Sequence, residues 1–121
     1  MSKPKTASAP ADKVALYEKL IATNPAIERK GATLPYTSLN GNMFSYLHSS
    51  GSVALRLPKD ERERFLEKYK ATLFEAYGIV QKEYVKVPDE LLENTEELRK
   101  YLQISYAYVG TLKPKPTTKK S

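Results

Sequence analysis

The 121-residue chain contains no cysteine or tryptophan, and it has one histidine and five glycines. Without cysteine it can form neither a disulfide nor a zinc site built on thiolates. The Gly-x-Gly-x-x-Gly, Walker and Gly-x-Ser-x-Gly patterns are all missing, so neither a phosphate-binding loop nor a nucleophile elbow is predicted. These absences favour a non-enzymatic chain, and we expect no catalytic residue, no cofactor and no bound metal.

Long apolar runs are also absent. The first ten residues (MSKPKTASAP) lack the apolar core of a signal peptide, and no segment reaches the length that a membrane span requires. We therefore expect a cytoplasmic protein without membrane contact.

The net charge of +6 lies entirely in the two ends of the chain. Lys3 and Lys5 contribute two charges, and the last nine residues contribute four. Between residues 11 and 112, 14 basic residues balance 14 acidic ones. A nucleic-acid surface usually carries its charge on the folded domain, so this distribution weakens that interpretation. We predict tails over residues 1–10 and 113–121 and a single domain over 11–112.

Hydrophobic periodicity predicts the elements of the first half of this domain. Asp12 is the expected N-cap of a helix whose stripe includes Tyr17 and Leu20 and which ends before Pro25. A period of two then predicts strands over residues 26–30, 33–39, 42–48 and 52–57. Asn40-Gly41 predicts a tight hairpin, because both residue types tolerate positive φ.

The second half alternates between helices and a strand. Pro58 opens a helix that we expect to continue to about Tyr77 and to stop at Gly78. A strand is expected over residues 79–87, then a helical turn after Pro88, then a final helix capped by Asn94. The order α-βββ-α-β-α predicts an α+β fold of two layers, with a mostly antiparallel sheet of four or five strands and helices on one face.

Two groups of polar residues resemble catalytic sites only superficially. His48 ends a strand beside a Ser-Ser-Gly turn and has no evident orienting partner, which favours a surface role. The acidic residues 60, 61, 63 and 67 alternate with basic residues, as on a solvated helix face.

The candidate interaction residues are tyrosines and tail lysines: Tyr36, Tyr106, Tyr108, Lys113 and Lys115. Tyr106 points away from the apolar stripe of the last helix and is expected to be exposed. The tyrosines of this helix either form a docking surface or fill the space between helix and sheet. Ser105 lies within the stripe, and its hydroxyl can bond to the carbonyl of Tyr101. The lysines either contact an acidic partner or phosphates, or keep the ends soluble.

Four stretches together resemble the TfoX N-terminal domain family. They are residues 40–44 (NGNMF), 54–58 (ALRLP), 84–88 (YVKVP) and 105–116 (SYAYVGTLKPKP), and the likeness covers residues 12 to 116. The resemblance implies an antiparallel sheet backed by helices, similar to the secretion chaperone-like architecture, and no catalytic residues. The family pairs this domain with a second, helical domain that this sequence does not contain, so the resemblance implies neither DNA binding nor transcriptional control here.

These observations lead to one functional hypothesis with two alternatives. The chain is expected to be a non-enzymatic regulatory or adaptor domain that contacts a protein partner or forms a homodimer. The first alternative is a nucleic-acid-associated protein that uses its basic tails. The second is a small-molecule binder, for which a concave pocket lined by polar groups would be the sign.

Overall fold

The computed structural model describes residues 10–31, 34–76 and 78–112. The described helices are α1 (Ala11–Ile21), α2 (Lys59–Tyr69), α3 (Asp89–Leu92) and α4 (Thr95–Gly110). The strands are β1 (Tyr36–Leu39), β2 (Asn42–Leu47), β3 (Val53–Arg56), β4 (Leu73–Ala76) and β5 (Ile79–Val87). They form one antiparallel sheet in the order β1-β2-β3-β5-β4. The predicted α+β class is confirmed.

The helices cover one face of the sheet and form the main core with it. Every helix contributes buried side chains to this core, for example Tyr17 from α1, Phe65 from α2 and Leu102 from α4. On the sheet the alternation of strand residues directs Leu47, Leu55 and Val85 to the same side. We call this side the inner face and the opposite side the outer face. No helix in the described part of the chain is long and apolar enough to span a bilayer.

The hairpin between β1 and β2 forms where the Asn-Gly pair predicts it. Asn40 has φ 55° and Gly41 has φ 80°, so both occupy the left-handed region that a tight hairpin turn needs. The Asn94 cap of α4 is also confirmed, because its side chain accepts a hydrogen bond from the Glu97 N–H.

Two predictions for the first forty residues are wrong. Helix α1 begins at Ala11 directly after Pro10, so Asp12 lies in the first turn, where its charge favours the helix dipole, and not at the cap. Residues 26–30 do not form a strand. Only Lys30 pairs with a strand, through two backbone hydrogen bonds to Tyr36 along the free edge of β1.

The largest difference concerns the chain after α2. The expected helix to about Tyr77 stops at Tyr69, because Lys70 adopts a left-handed conformation with φ 51° and ψ 43°. Residues 73–76 then form β4, which pairs with β5. Lysine is an unusual residue at this position, where glycine is common, so the end of the helix at Tyr69 is hard to predict from the sequence.

Buried hydroxyl groups join the helix layer to the sheet. The Tyr17 hydroxyl lies 2.5 Å from Ser45 Oγ, which lies 2.6 Å from Thr37 Oγ1, and all three side chains are fully buried. Burial raises the pKa of Tyr17 well above its ordinary value, so the ring stays neutral. Ser105 is also buried, but its hydroxyl donates to the carbonyl of Phe44 on β2, at 3.3 Å, and not to that of Tyr101.

A polar cluster fastens α2 to α4 at the surface. The Tyr69 hydroxyl donates to the Glu97 carboxylate at 2.5 Å, and Lys68 pairs with the same carboxylate at 3.3 Å. These two contacts lower the pKa of Glu97, the hydrogen bond from Tyr69 contributing most. Since Glu97 is engaged here, it does not complete a reciprocal capping box with Asn94.

The left-handed end of α2 predicts a stabilising substitution. Lys70→Gly relieves the steric cost of positive φ and should raise the free energy of unfolding by about 0.5–1 kcal/mol, as measured by urea denaturation. Glu67→Gly, three residues earlier inside the helix, should instead lower it by about 1 kcal/mol. A lower stability for Lys70→Gly would contradict this account of the helix end.

Candidate interaction surface on the outer face of the sheet

Residues 74–76 and 78–81, which we call the arm, fold back over the outer face. In a flat sheet β2 and β4 would lie three strand spacings apart, or about 14 Å. The ring of Phe74 on β4 is nevertheless 5.5 Å from the ring of Tyr46 on β2 and 5.5 Å from that of His48 (ring centroids). The arm must therefore leave the plane of the sheet and cross over β3.

A shift of register produces this departure. Leu73 pairs with Val85, but the next residue, Phe74, pairs with Gln81. Three residues of β5 thus have no counterpart on β4, and an excess of this kind bends a strand pair and increases its twist. The bend lies directly before the arm and directs it towards the outer face.

The arm and the outer face enclose a second, smaller core. Ala54, Phe74 and Ala76 are buried there, and Tyr46 and Tyr84 pack against them. Ala54 is fully buried although no helix of the described residues covers this face. The small side chain of Ala54, at the centre of the sheet, allows the arm to approach closely.

Tyrosine hydroxyls secure the rim of this second core. Tyr46 donates to Gln81 Oε1 at 2.5 Å, which ties β2 to the arm, and Tyr84 donates to the carbonyl of Met43 at 2.8 Å. Arg56 pairs with Glu83 at 2.7 Å beside them. Burial raises the pKa of Tyr84, and the positive charge of Arg56 offsets part of this effect.

A cleft of about 290 Å³ opens between the arm and the first two strands. Residues of apolar or aromatic type make up most of its lining, with one glutamine and one histidine. The lining residues are Leu34, Tyr36, Met43, Tyr46, Leu47, His48, Ala76 and Gln81. Clefts with apolar walls and a few placed polar groups are typical ligand sites.

The tip of the arm carries exposed apolar side chains. Ile79 is 67% exposed and Val80 is 46% exposed; with Met43, at 36%, they are the exposed large hydrophobic residues of the described chain. The tip adjoins β4, which lies at one edge of the sheet. The free edge of β4 pairs with no strand of the described residues. The other edge, β1, is partly covered by the Lys30 bridge.

The three candidate tyrosines do not meet at one place. Tyr36 lies on the outer face opposite Tyr46 and lines the cleft. Tyr106 is half-buried in the helix layer, with its ring 5.8 Å from the Phe44 ring, so the expectation that it is exposed is wrong. Tyr108 is also half-buried, and the Arg56 guanidinium lies 5.8 Å from its ring centre. The tyrosines of α4 thus fill the space between helix and sheet.

The remaining candidates contribute no site in the described residues. Lys113 and Lys115 lie outside the described residues. His48 Nδ1 lies 3.1 Å from Ser50 Oγ and accepts the Ser50 N–H, which fixes the ring within its turn. In residues 10–31, 34–76 and 78–112, no three acidic or histidine side chains are grouped so that they could hold a metal ion.

Sequence reasoning missed the arm, and with it the cleft. A signal was present, because Leu73 to Ala76 and the segment from Ile79 are separated by two residues ending in glycine, a pattern typical of a hairpin. The expected continuation of the charged helix to about Tyr77 instead places Gly78 at a helix end. The contact across β3 depends on the register shift, which the sequence does not reveal.

Comparison with known proteins gives no relative: no protein-family model, no curated protein and no solved structure matches the chain. The resemblance to the TfoX N-terminal domain family therefore stays a prediction.

The bond between Tyr46 and Gln81 predicts a local effect on the arm. Tyr46→Phe removes the donor and should raise amide hydrogen exchange at residues 79–81 about fivefold, corresponding to about 1 kcal/mol. Tyr36→Phe is the matched control, because the Tyr36 hydroxyl makes no hydrogen bond to any described residue, and it should leave the exchange unchanged. Equal exchange in both variants would show that this bond does not hold the arm.

Proposed function

We propose that this chain is a non-enzymatic regulatory or adaptor domain that acts through protein–protein contact. The observation that carries the proposal is the pair of exposed residues, Ile79 and Val80, at the tip of the arm. Successive strand residues point to opposite faces, so Ile79 and Val80 make both faces of the free end of the arm apolar, and exposed apolar surface of this kind is a candidate protein contact. The open edge of β4 beside them adds backbone donors and acceptors that a partner can pair with.

The remaining features support a binding role over a catalytic one. His48 is held in its turn by Ser50, and Arg56 and Glu97 are engaged in ion pairs. These side chains join strands, turns and helices to one another. The resemblance to the TfoX N-terminal family, which offers no catalytic residues, points the same way.

The test compares two substitutions at exposed apolar positions. A protein captured by the wild-type chain from cell extract is purified, and its affinity is measured by titration. Ile79→Lys should weaken binding at least about tenfold, because it places a charge where an apolar contact forms. Met43→Lys, which lies on β2 and not on the arm, should change the affinity by less than about twofold.

Sedimentation equilibrium decides whether the partner is a second copy of the chain. A homodimer should dissociate to monomers in Ile79→Lys and persist in Met43→Lys. A chain that is strictly monomeric and captures no protein would contradict the proposal.

Association with nucleic acid is the second candidate function, and the net charge of +6 in the tails favours it. Contacts between lysines and phosphates release counterions, so they predict a gel shift that weakens as salt rises. Deleting residues 1–10 and 113–121 should abolish this shift, because residues 11–112 carry no net charge. If the intact chain causes no shift at low salt, this candidate is removed.

A further inference from the structure

We propose that the cleft between the arm and the first two strands binds a small, neutral, planar aromatic molecule that carries a hydrogen-bond acceptor. This inference is independent of the protein partner, which is placed at the tip of the arm.

The size and walls of the cleft define the shape of the ligand. Its volume of about 290 Å³ is at the lower end of the range for small-molecule pockets. The rings of Tyr36 and Tyr46 and the thioether of Met43 line it. Aromatic rings and a thioether both contact flat aromatic molecules favourably, through offset stacking, edge contacts and sulfur–ring contacts.

The absence of formal charge in the lining makes the ligand neutral. None of the described residues that line the cleft is a lysine, arginine, aspartate or glutamate, and the imidazole of His48 accepts the Ser50 N–H at Nδ1, as a neutral ring does. A charged ligand would lose its hydration here without gaining an ion pair, which is costly. A neutral ring loses much less hydration free energy when it enters the cleft.

Gln81 determines which polar group the ligand needs. Its Oε1 accepts the Tyr46 hydroxyl, and this bond assigns the carboxamide orientation. Its Nε2 makes no hydrogen bond to any described residue, and neither does the hydroxyl of Tyr36. Both groups can donate, so a ligand carbonyl or ring nitrogen satisfies the site best.

Two probes of the same shape test the ligand class. The full chain is titrated with naphthalene-2-carboxamide and with naphthalene-2-carboxylate, and binding is followed by ¹⁵N–¹H NMR. The carboxamide should shift amides of cleft residues saturably with a Kd of about 1 mM or lower, as expected for a fragment of this size. The carboxylate should bind at least about tenfold more weakly.

Substitutions test whether the carboxamide binds in the cleft. Ala76→Leu fills the cleft and should weaken carboxamide binding at least about tenfold. Ala71→Leu is the matched control, because Ala71 lines a different cavity with Lys70 and Lys86, and it should bind normally. Met43→Ala removes one wall at an exposed position and should weaken binding about threefold, which keeps the test valid if Ala76→Leu does not fold. Val80→Lys should leave the affinity for the carboxamide unchanged, because the Val80 side chain points to the opposite face of the hairpin from Ala76 and Gln81.

Three outcomes would overturn the proposal. The first is unsaturable shifts scattered over the surface, and the second is equal affinity for the carboxylate. In the third, the cleft accepts an apolar side chain of a protein partner. The carboxamide then fails to bind the isolated chain, and Met43→Ala weakens binding of the protein partner.

Discussion

The approach of Phe74 to Ala54 is the contact on which the outer face depends. The helices cover only the inner face, so the sheet must bury its opposite side in another way. Because position 54 has only a methyl group, the arm can return across β3 and cover it. Any larger side chain there would separate the arm from the sheet, and the cleft beside the arm exists only because the arm is in place.

The two faces of the sheet are stabilised by different means. The inner face has a large aliphatic core to which every helix contributes. The outer face has three buried side chains, and two of them are alanines. It depends more on ring contacts and on tyrosine hydroxyls, each of which has a defined acceptor, as in the bonds of Tyr46 and Tyr84. Tyrosine suits this position because its ring is apolar and its end is polar.

Local signals predicted the parts of the fold that depend on neighbours in sequence. Asn40-Gly41 predicts its hairpin because the turn needs positive φ at both residues, and the stripe of α4 predicts the burial of Leu102 because helical period alone decides it. The prediction failed at residues 70–76, where Lys70 ends a helix in a conformation that lysine seldom adopts. The arm could not be predicted for another reason. Phe74 contacts Tyr46 and His48 because the strand pair bends, and local propensity does not encode this bend.

The candidate site also combines residues that local signals predict with residues that only the tertiary structure brings into place. Tyr36 was identified as an interaction residue and does line the cleft, whereas Gln81 and Ala76 were not considered, because their importance comes only from where the arm carries them. Tyr106 and Tyr108 of α4 pack half-buried against the core, for a reason visible in the sequence. A tyrosine close to an apolar stripe can turn its ring towards the core and keep its hydroxyl near solvent.

The two edges of the sheet differ, and this limits how copies of the chain can assemble. The Lys30 bridge occupies the hydrogen-bonding groups of Tyr36 on β1, while the outer side of β4 is open in the described chain. The bridge covers only the Tyr36 end of β1, so in the described residues β4 is the less covered of the two edges for joining through strands. Two copies that joined through β4 would form a closed two-fold pair, in which each copy has used its less covered edge.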